Sequence, residues 1–347
     1  MRRLLAAAAA SLLALTSSPP ASAQTAAPVR EKGETRAFSL VPSPGFPAYV
    51  HAHTNGRVYA GTYIDTGSSA PSRVFEWRGD GTLLRSWSVP GQVLGEDHGV
   101  QVANQTRDGR LVLLETSTAS VMTLDIRTGR FRRVVRLPDG AVPNYATWGP
   151  RGALFVTDYA DGVIWKVPHG SRTPRPWFRS PALTGAIEFG TTGIRYRPGR
   201  HDLLITQQTV TDGGTLPTNG ALYRLPIGSD GRPGEIETLW TSQPGDLPDG
   251  FGIGRSGHVY VALAGLSNQL VELTATGEEV RRYGTALTGD NGSPIPFDTP
   301  CSATFLGRRV LVANQSAIAG DRTHQAILDV YVGEPGRPPY LPRRAGF

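Results

Sequence analysis

The amino-acid sequence predicts an all-β chain folded as a six-bladed β-propeller, and three observations carry that reading. One strand–turn–strand phrase recurs six times, with turn glycines at Gly56, Gly109, Gly152, Gly199, Gly257 and Gly307, spaced 43 to 58 residues apart. A period of that length, with three or four short strands per unit, marks propeller blades, none of which can bury its faces alone. The 42 glycines and 28 prolines suit a chain of tight turns. No helical periodicity of useful length appears outside the N-terminal segment.

Taken in order, the chain opens with Arg2 and Arg3, an apolar stretch from Leu4 to Leu15, and Ala21-Ser22-Ala23. That pattern reads as a signal peptide over residues 1–23, too short to be a membrane span. Residues 24–35 read as a flexible leader, 36–334 as the propeller and 335–347 as an exposed Pro- and Arg-rich tail. The clearest repeats start at Asn144, with Gly152-Ala-Leu-Phe-Val-Thr-Asp158, and at Asp249, with Gly257-His-Val-Tyr-Val-Ala262. Third strands follow in every unit, such as Gly162-Val-Ile-Trp-Lys-Val167 and Gln269-Leu-Val-Glu-Leu273. Phe38 and Leu40 alternate and are expected to give the last blade its outer strand, closing the ring between the chain ends. Longer hairpins, Gln208 to Asn219 and Asn314 to Thr323, are expected to crown one face.

Composition excludes several classes. The net charge is +6 and the single cysteine, Cys301, rules out an intramolecular disulfide. The basic residues are scattered, and all but Lys32 and Lys166 are arginine, so no nucleic-acid groove is expected. No G-x-S-x-G elbow is present. The expectation is a secreted monomer that meets a small-molecule substrate or ligand and has no membrane span.

Alignment of the repeats on their turns puts Ala48, His98, Asn144, Thr192, Asp249 and Thr299 at the openings of the innermost strands. A ring of His98, Asn144, Thr192 and Asp249 at a channel mouth is a candidate site. Asp249 and His98 are its candidate catalytic residues, as general bases, and Asn144 and Thr192 its substrate-binding ones. His51 and His53 share a strand face at a spacing compatible with zinc or copper, without a third ligand nearby. Cys301 and the tryptophans Trp77, Trp148, Trp165 and Trp177 read as core.

Pro143-Asn144 with the Gly152–Asp158 run, and Leu247-Pro-Asp249-Gly250 with the Gly257–Ala262 run, resemble the gluconolactonase/regucalcin family of six-bladed propellers. The resemblance implies a divalent cation, often calcium, at the channel mouth. Its ligands would be a Glu opening the first blade, an Asn opening the fourth and an Asp opening the fifth, with an Asn of the third holding substrate. By position Asp249 matches the Asp ligand and Asn144 the substrate-side Asn, whereas Ala48 and Thr192 replace the other two. One carboxylate is a poor calcium site, because that ion takes six or more oxygens. The resemblance therefore implies a hydrolase of a lactone or small ester, or alternatively a non-catalytic extracellular binding or sensing propeller that has lost the metal.

Overall fold

The computed structural model describes residues 30–186, 189–210 and 218–347; the expected signal peptide and most of the leader lie outside them. The described chain is almost wholly β, with only short 3-10 turns. No helix among these residues is long and apolar enough to cross a membrane.

Three sheets are four-stranded antiparallel meanders. They comprise β10 (Pro143–Trp148), β11 (Leu154–Asp158), β12 (Val163–Val167) and β13 (Arg175–Arg179); β14 (Thr191–Arg197), β15 (Asp202–Gln207), β16 (Ala221–Pro226) and β17 (Glu237–Thr241); and β18 (Pro248–Ile253), β19 (Val259–Leu263), β20 (Gln269–Leu273) and β21 (Glu279–Tyr283). An eight-stranded sheet holds β2 (Phe46–Ala52), β3 (Val58–Ile64), β4 (Arg73–Trp77) and β5 (Leu83–Ser88), followed by β6 (His98–Gln105), β7 (Leu111–Glu115), β8 (Ser120–Asp125) and β9 (Arg130–Arg136). Its halves join only where β3 meets β6, at Tyr63–Gly99 and Ile64–His98. The remaining sheet holds β22 (Pro300–Leu306), β23 (Arg309–Asn314) and β24 (Ala326–Tyr331), and its outer strand is β1 (Thr35–Leu40) from the other end of the chain. β1 pairs from Thr35 opposite Val330 to Leu40 opposite Ala326. Hydrogen bonds thus tie the two chain ends together without a covalent staple.

The first strands touch in a closed cycle: β2, β6, β10, β14, β18, β22 and back to β2. This is a propeller-like arrangement, and it brings strand openings distant in sequence to one axis. Residue choice follows position. Middle strands such as β7, β11 and β19 are buried along their whole length and are mostly apolar, because sheets cover both faces. Outermost strands such as β9 and β21 carry exposed charges, which protect a free edge from pairing with another chain. Between sheets the core is aromatic and aliphatic; Trp77 and Trp148 are fully buried, and their indole N–H groups donate to Ser39 Oγ at 3.0 Å and to the Gln105 carbonyl at 2.7 Å.

The tail differs from the expectation. Residues 335–347 do not stand free. Arg337 N–H donates to the Ile253 carbonyl and Arg107 N–H to the Ala345 carbonyl, each at 2.8 Å. Phe347 lies 5.4 Å from the Trp148 ring, and Tyr340 lies 5.0 Å from Tyr196. Proline and arginine content suggested a solvated tail, but Tyr340, Leu341, Ala345 and Phe347 supply an apolar face that neighbouring sheets cover. Deleting residues 335–347 is expected to cost about 3 kcal/mol, the burial of one or two large side chains. A urea titration checks this, and an unchanged midpoint would refute the docking.

Candidate functional site

Most of the innermost strands start irregularly. Pairing slips between Pro47 and Val50, Pro143 and Ala146, Thr191 and Ile194, and Pro248 and Phe251. Such bulges re-aim a side chain at the end of a strand. Here they turn Tyr49, Asn144 and Asp249 toward one another. The Tyr49 hydroxyl is 2.7 Å from Asn144 Oδ1 and makes a very short hydrogen bond with Asp249 Oδ1. On the other side, Gln208 Nε2 donates to Asp249 Oδ2 at 3.2 Å, and Tyr159 donates to Gln208 Oε1 at 2.6 Å. Thr206 holds the Asp249 backbone by donating to its carbonyl at 2.7 Å. Gly250 is required at its position, because a Cβ there would collide with the Tyr49 ring. Gly99 does the same for the ring of Tyr63, whose hydroxyl contacts Gln101.

Asp249 is the one carboxylate of this cluster, and it is 7% exposed. Burial pushes its pKa up to about 7, against the opposing hydrogen bonds from Tyr49, Gly250 N–H and Gln208. A tyrosine hydroxyl has one proton and here faces two acceptors. As a carboxylate Asp249 accepts that proton; once protonated it can donate to the tyrosine oxygen, which then donates to Asn144 Oδ1, so either state finds a partner. Burial, and then the neighbouring Asp249, also raise the Tyr49 hydroxyl well above its usual value. Such a carboxyl can exchange a proton near neutrality, as a general acid–base must.

The sequence-predicted residues divide. Asn144 and Asp249 come together. His98 does not join them: its Nδ1 lies 2.7 Å from the Glu96 carbonyl and its Nε2 2.8 Å from the Ala70 carbonyl. Both ring nitrogens are turned to backbone carbonyls, so neither is presented to Asn144 and Asp249. Thr192 is fully buried and hydrogen-bonds to Thr206 and to the Pro248 carbonyl, each at 3.1 Å, so its hydroxyl braces β14 against β18. Cys301 is buried, and burial followed by Asp249 pushes its thiol well up, so it is not a nucleophile. The sequence reading missed Tyr49, Tyr159 and Gln208; only the last had a signal, as the first residue of the long hairpin whose residues 211–217 lie outside the described ones.

The cluster does not fit calcium. Ala48 offers no ligand, Thr192 faces its own framework, and the Tyr49 hydroxyl occupies the space between Asn144 and Asp249. A second group, His258, Glu272 and Glu334, has ligand atoms within 4.8 Å of one another. Its oxygens are already engaged: Lys32 Nζ lies 3.0 and 2.9 Å from the two Glu272 oxygens, Tyr283 donates at 2.7 Å, and the Tyr260 hydroxyl lies 3.1 Å from Glu272 and 2.9 Å from Glu334, with one proton to donate between them. Lys32 supplies there the charge a cation would bring. Millimolar calcium is therefore expected to leave the melting temperature unchanged; a rise of several degrees would mean an ion site on the folded state.

No family model matches the chain, and no curated protein matches it in sequence. Solved structures do. The chain is similar to regucalcin, a calcium-binding protein from Agrobacterium tumefaciens, at 16% identity over 88% of this chain and 96% of that one, with a TM-score of 0.64. It is similar to a gluconolactonase from Xanthomonas campestris at 15% identity, over 85% and 98% of the two chains, with a TM-score of 0.51. A virginiamycin B lyase from Staphylococcus aureus matches at 15% identity, over 84% and 82%, with a TM-score of 0.55. The fold is accordingly gluconolactonase/regucalcin-like.

Proposed function

We propose that this chain is a secreted, monomeric six-bladed propeller that hydrolyses a lactone or small ester at the channel mouth, with Asp249 as its general acid–base and without a metal. Reading the joined eight-stranded sheet as two blades of four gives the count of six. The buried Asp249 carboxyl, poised near neutrality between Tyr49 and Gln208, is the observation that carries the reading. As a carboxylate, Asp249 takes a proton from water while the water oxygen bonds to the ester carbonyl carbon. Asn144 Nδ2 is free to donate to the oxygen on which negative charge develops. When the ring C–O bond breaks, the departing alkoxide takes the proton back from Asp249, leaving a hydroxy acid. Tyr49 and Gln208 are positioning residues that hold the carboxyl in place.

The engaged ring of His98, and a mouth cluster with Asp249 as its one carboxylate among the described residues, favour one other reading, a binding or sensing propeller that holds a small polar ligand at the same mouth. Rates on a panel of aldonolactones and aryl esters, measured for wild type and Asp249→Asn, separate the two. Turnover lost in the variant supports the hydrolase. Equal rates, or no turnover by either protein, remove it.

A further inference from the structure

A cavity of about 790 Å³ opens at the far ends of the innermost strands, away from Asp249. Four residues of β18 separate Asp249 from Ile253, which lines this cavity, roughly 13 Å of strand. The tail residues Pro335 to Leu341 form one wall.

Its chemistry is one-sided. Arg195 of β14 is 7% exposed, and its Nη1 has no hydrogen-bond partner. The rest of its guanidinium makes a weak bond, Nε to the Phe251 carbonyl at 3.3 Å, and meets the neutral Tyr145, lying 4.6 Å above its ring and hydrogen-bonding with its hydroxyl. Nearby His51 is fully buried, and its Nδ1 is also without a partner. Arg107 and Arg200 stand exposed on the rim. Arg197 is neutralised by Asp202, which accepts two bonds of 2.8 Å from it. Asp202 is not in the wall; among the described residues lining the cavity there is no Asp or Glu.

A buried guanidinium normally has a carboxylate beside it, because burial strips its hydration. A ring face returns only part of that loss. The missing counter-charge is therefore expected from outside the chain. The cavity also has an apolar side, made by Tyr196, Phe305 and Tyr340, and its size matches pockets that hold small organic ligands.

We propose that this cavity binds a small organic oxyanion, with a carboxylate or phosphate head on Arg195 and His51 and an apolar body against Tyr196, Phe305 and Tyr340. The rim arginines draw the anion in, and the docked tail walls the site. Burial, then His53 and Arg195, hold the His51 pKa down at about 3, so the imidazole is neutral; in the tautomer that carries its proton on Nδ1, giving up the long 3.4 Å contact of Nε2 with Gln105 Oε1, it is a donor rather than a second cation. The two imidazoles, read from sequence as possible metal ligands, are used otherwise here: His53 Nε2 lies 3.1 Å from the Gly109 carbonyl and its Nδ1 accepts from Asn55 N–H at 3.0 Å. The site is independent of the chemistry at Asp249.

Phenyl phosphate, benzoate and neutral phenol, each added to the full chain at millimolar concentration and fixed ionic strength, test the proposal. At least one anion is expected to raise the melting temperature by about 2 °C or more, with phenol inert. The more effective anion identifies the head group. Arg195→Met is expected to weaken binding about tenfold or more by calorimetry, and the exposed pair Arg107→Ala with Arg200→Ala several-fold. The exposed pair decides the matter should Arg195→Met fail to fold. Phenol as effective as the anions, no effect of either anion, or undiminished binding in the variants overturns the proposal.

Discussion

Asp249→Asn is expected to lower kcat/KM for lactone or ester hydrolysis at least about a hundredfold, the usual scale of a general acid–base contribution. The amide keeps the volume of the carboxyl and can still bond to Tyr49 and Gln208, so circular dichroism should show an intact fold. A pH profile adds a signature that mere structural damage would not give. The working form in the attack step is the carboxylate, so the wild-type rate should rise toward pH 7 and level off above it, following the Asp249 pKa of about 7. Tyr49→Phe keeps the ring under Gly250 but removes the hydroxyl. That hydroxyl is foremost among the bonds that oppose the effect of burial, so its loss should move the profile to higher pH. A profile that stays in place in Tyr49→Phe, or equal rates in wild type and Asp249→Asn, would refute the assignment.

The repeat made much of this legible. Turn glycines aligned the innermost strands, and that alignment was sufficient to put Asn144 and Asp249 at one mouth and to give Phe38 and Leu40 to an outer strand beside β24. It could not reveal which residue of each opening faces the axis. The bulge in β2 carries the role from Ala48 to Tyr49, and a bulge has no spacing rule that a repeat alignment can read. His98 shows the converse failure. Its position in the frame was sound, but its ring is held by carbonyls from two loops, and loop contacts of that kind leave no periodic trace. The tail differs because four apolar residues outweigh its prolines and arginines, and their partners lie far off in sequence, Trp148 for Phe347 and Tyr196 for Tyr340.

Asp249→Asn is also expected to stabilise the protein above neutral pH. In the unfolded chain the carboxyl titrates near 3.8, and in the folded one near 7. Between those values the native state holds a proton that the unfolded state has released. Stability from this group is therefore full below about pH 4, falls as pH rises through the window and is lost above about 7. The rise from 3.8 to about 7 corresponds to on the order of 4 kcal/mol. Other buried acids run the opposite way. Glu272, where burial is outweighed by bonds from Lys32, Tyr283 and His258, is held down at about 2, so its contribution is present at neutral pH and lost in acid. The difference between wild type and variant cancels such groups and isolates Asp249. Urea denaturation from pH 4 to pH 8 should show near-equal stability at the acid end and a growing advantage for Asp249→Asn toward the alkaline end. A variant less stable than wild type at pH 8 would mean that the carboxylate is matched by a cation in the folded protein, and the metal-free reading of the channel mouth would then fail. Should the advantage be seen, one cause accounts for both results: the dehydrated pocket that makes Asp249 basic enough to work also strains the fold when it ionises, as expected of a site kept for reactivity rather than stability.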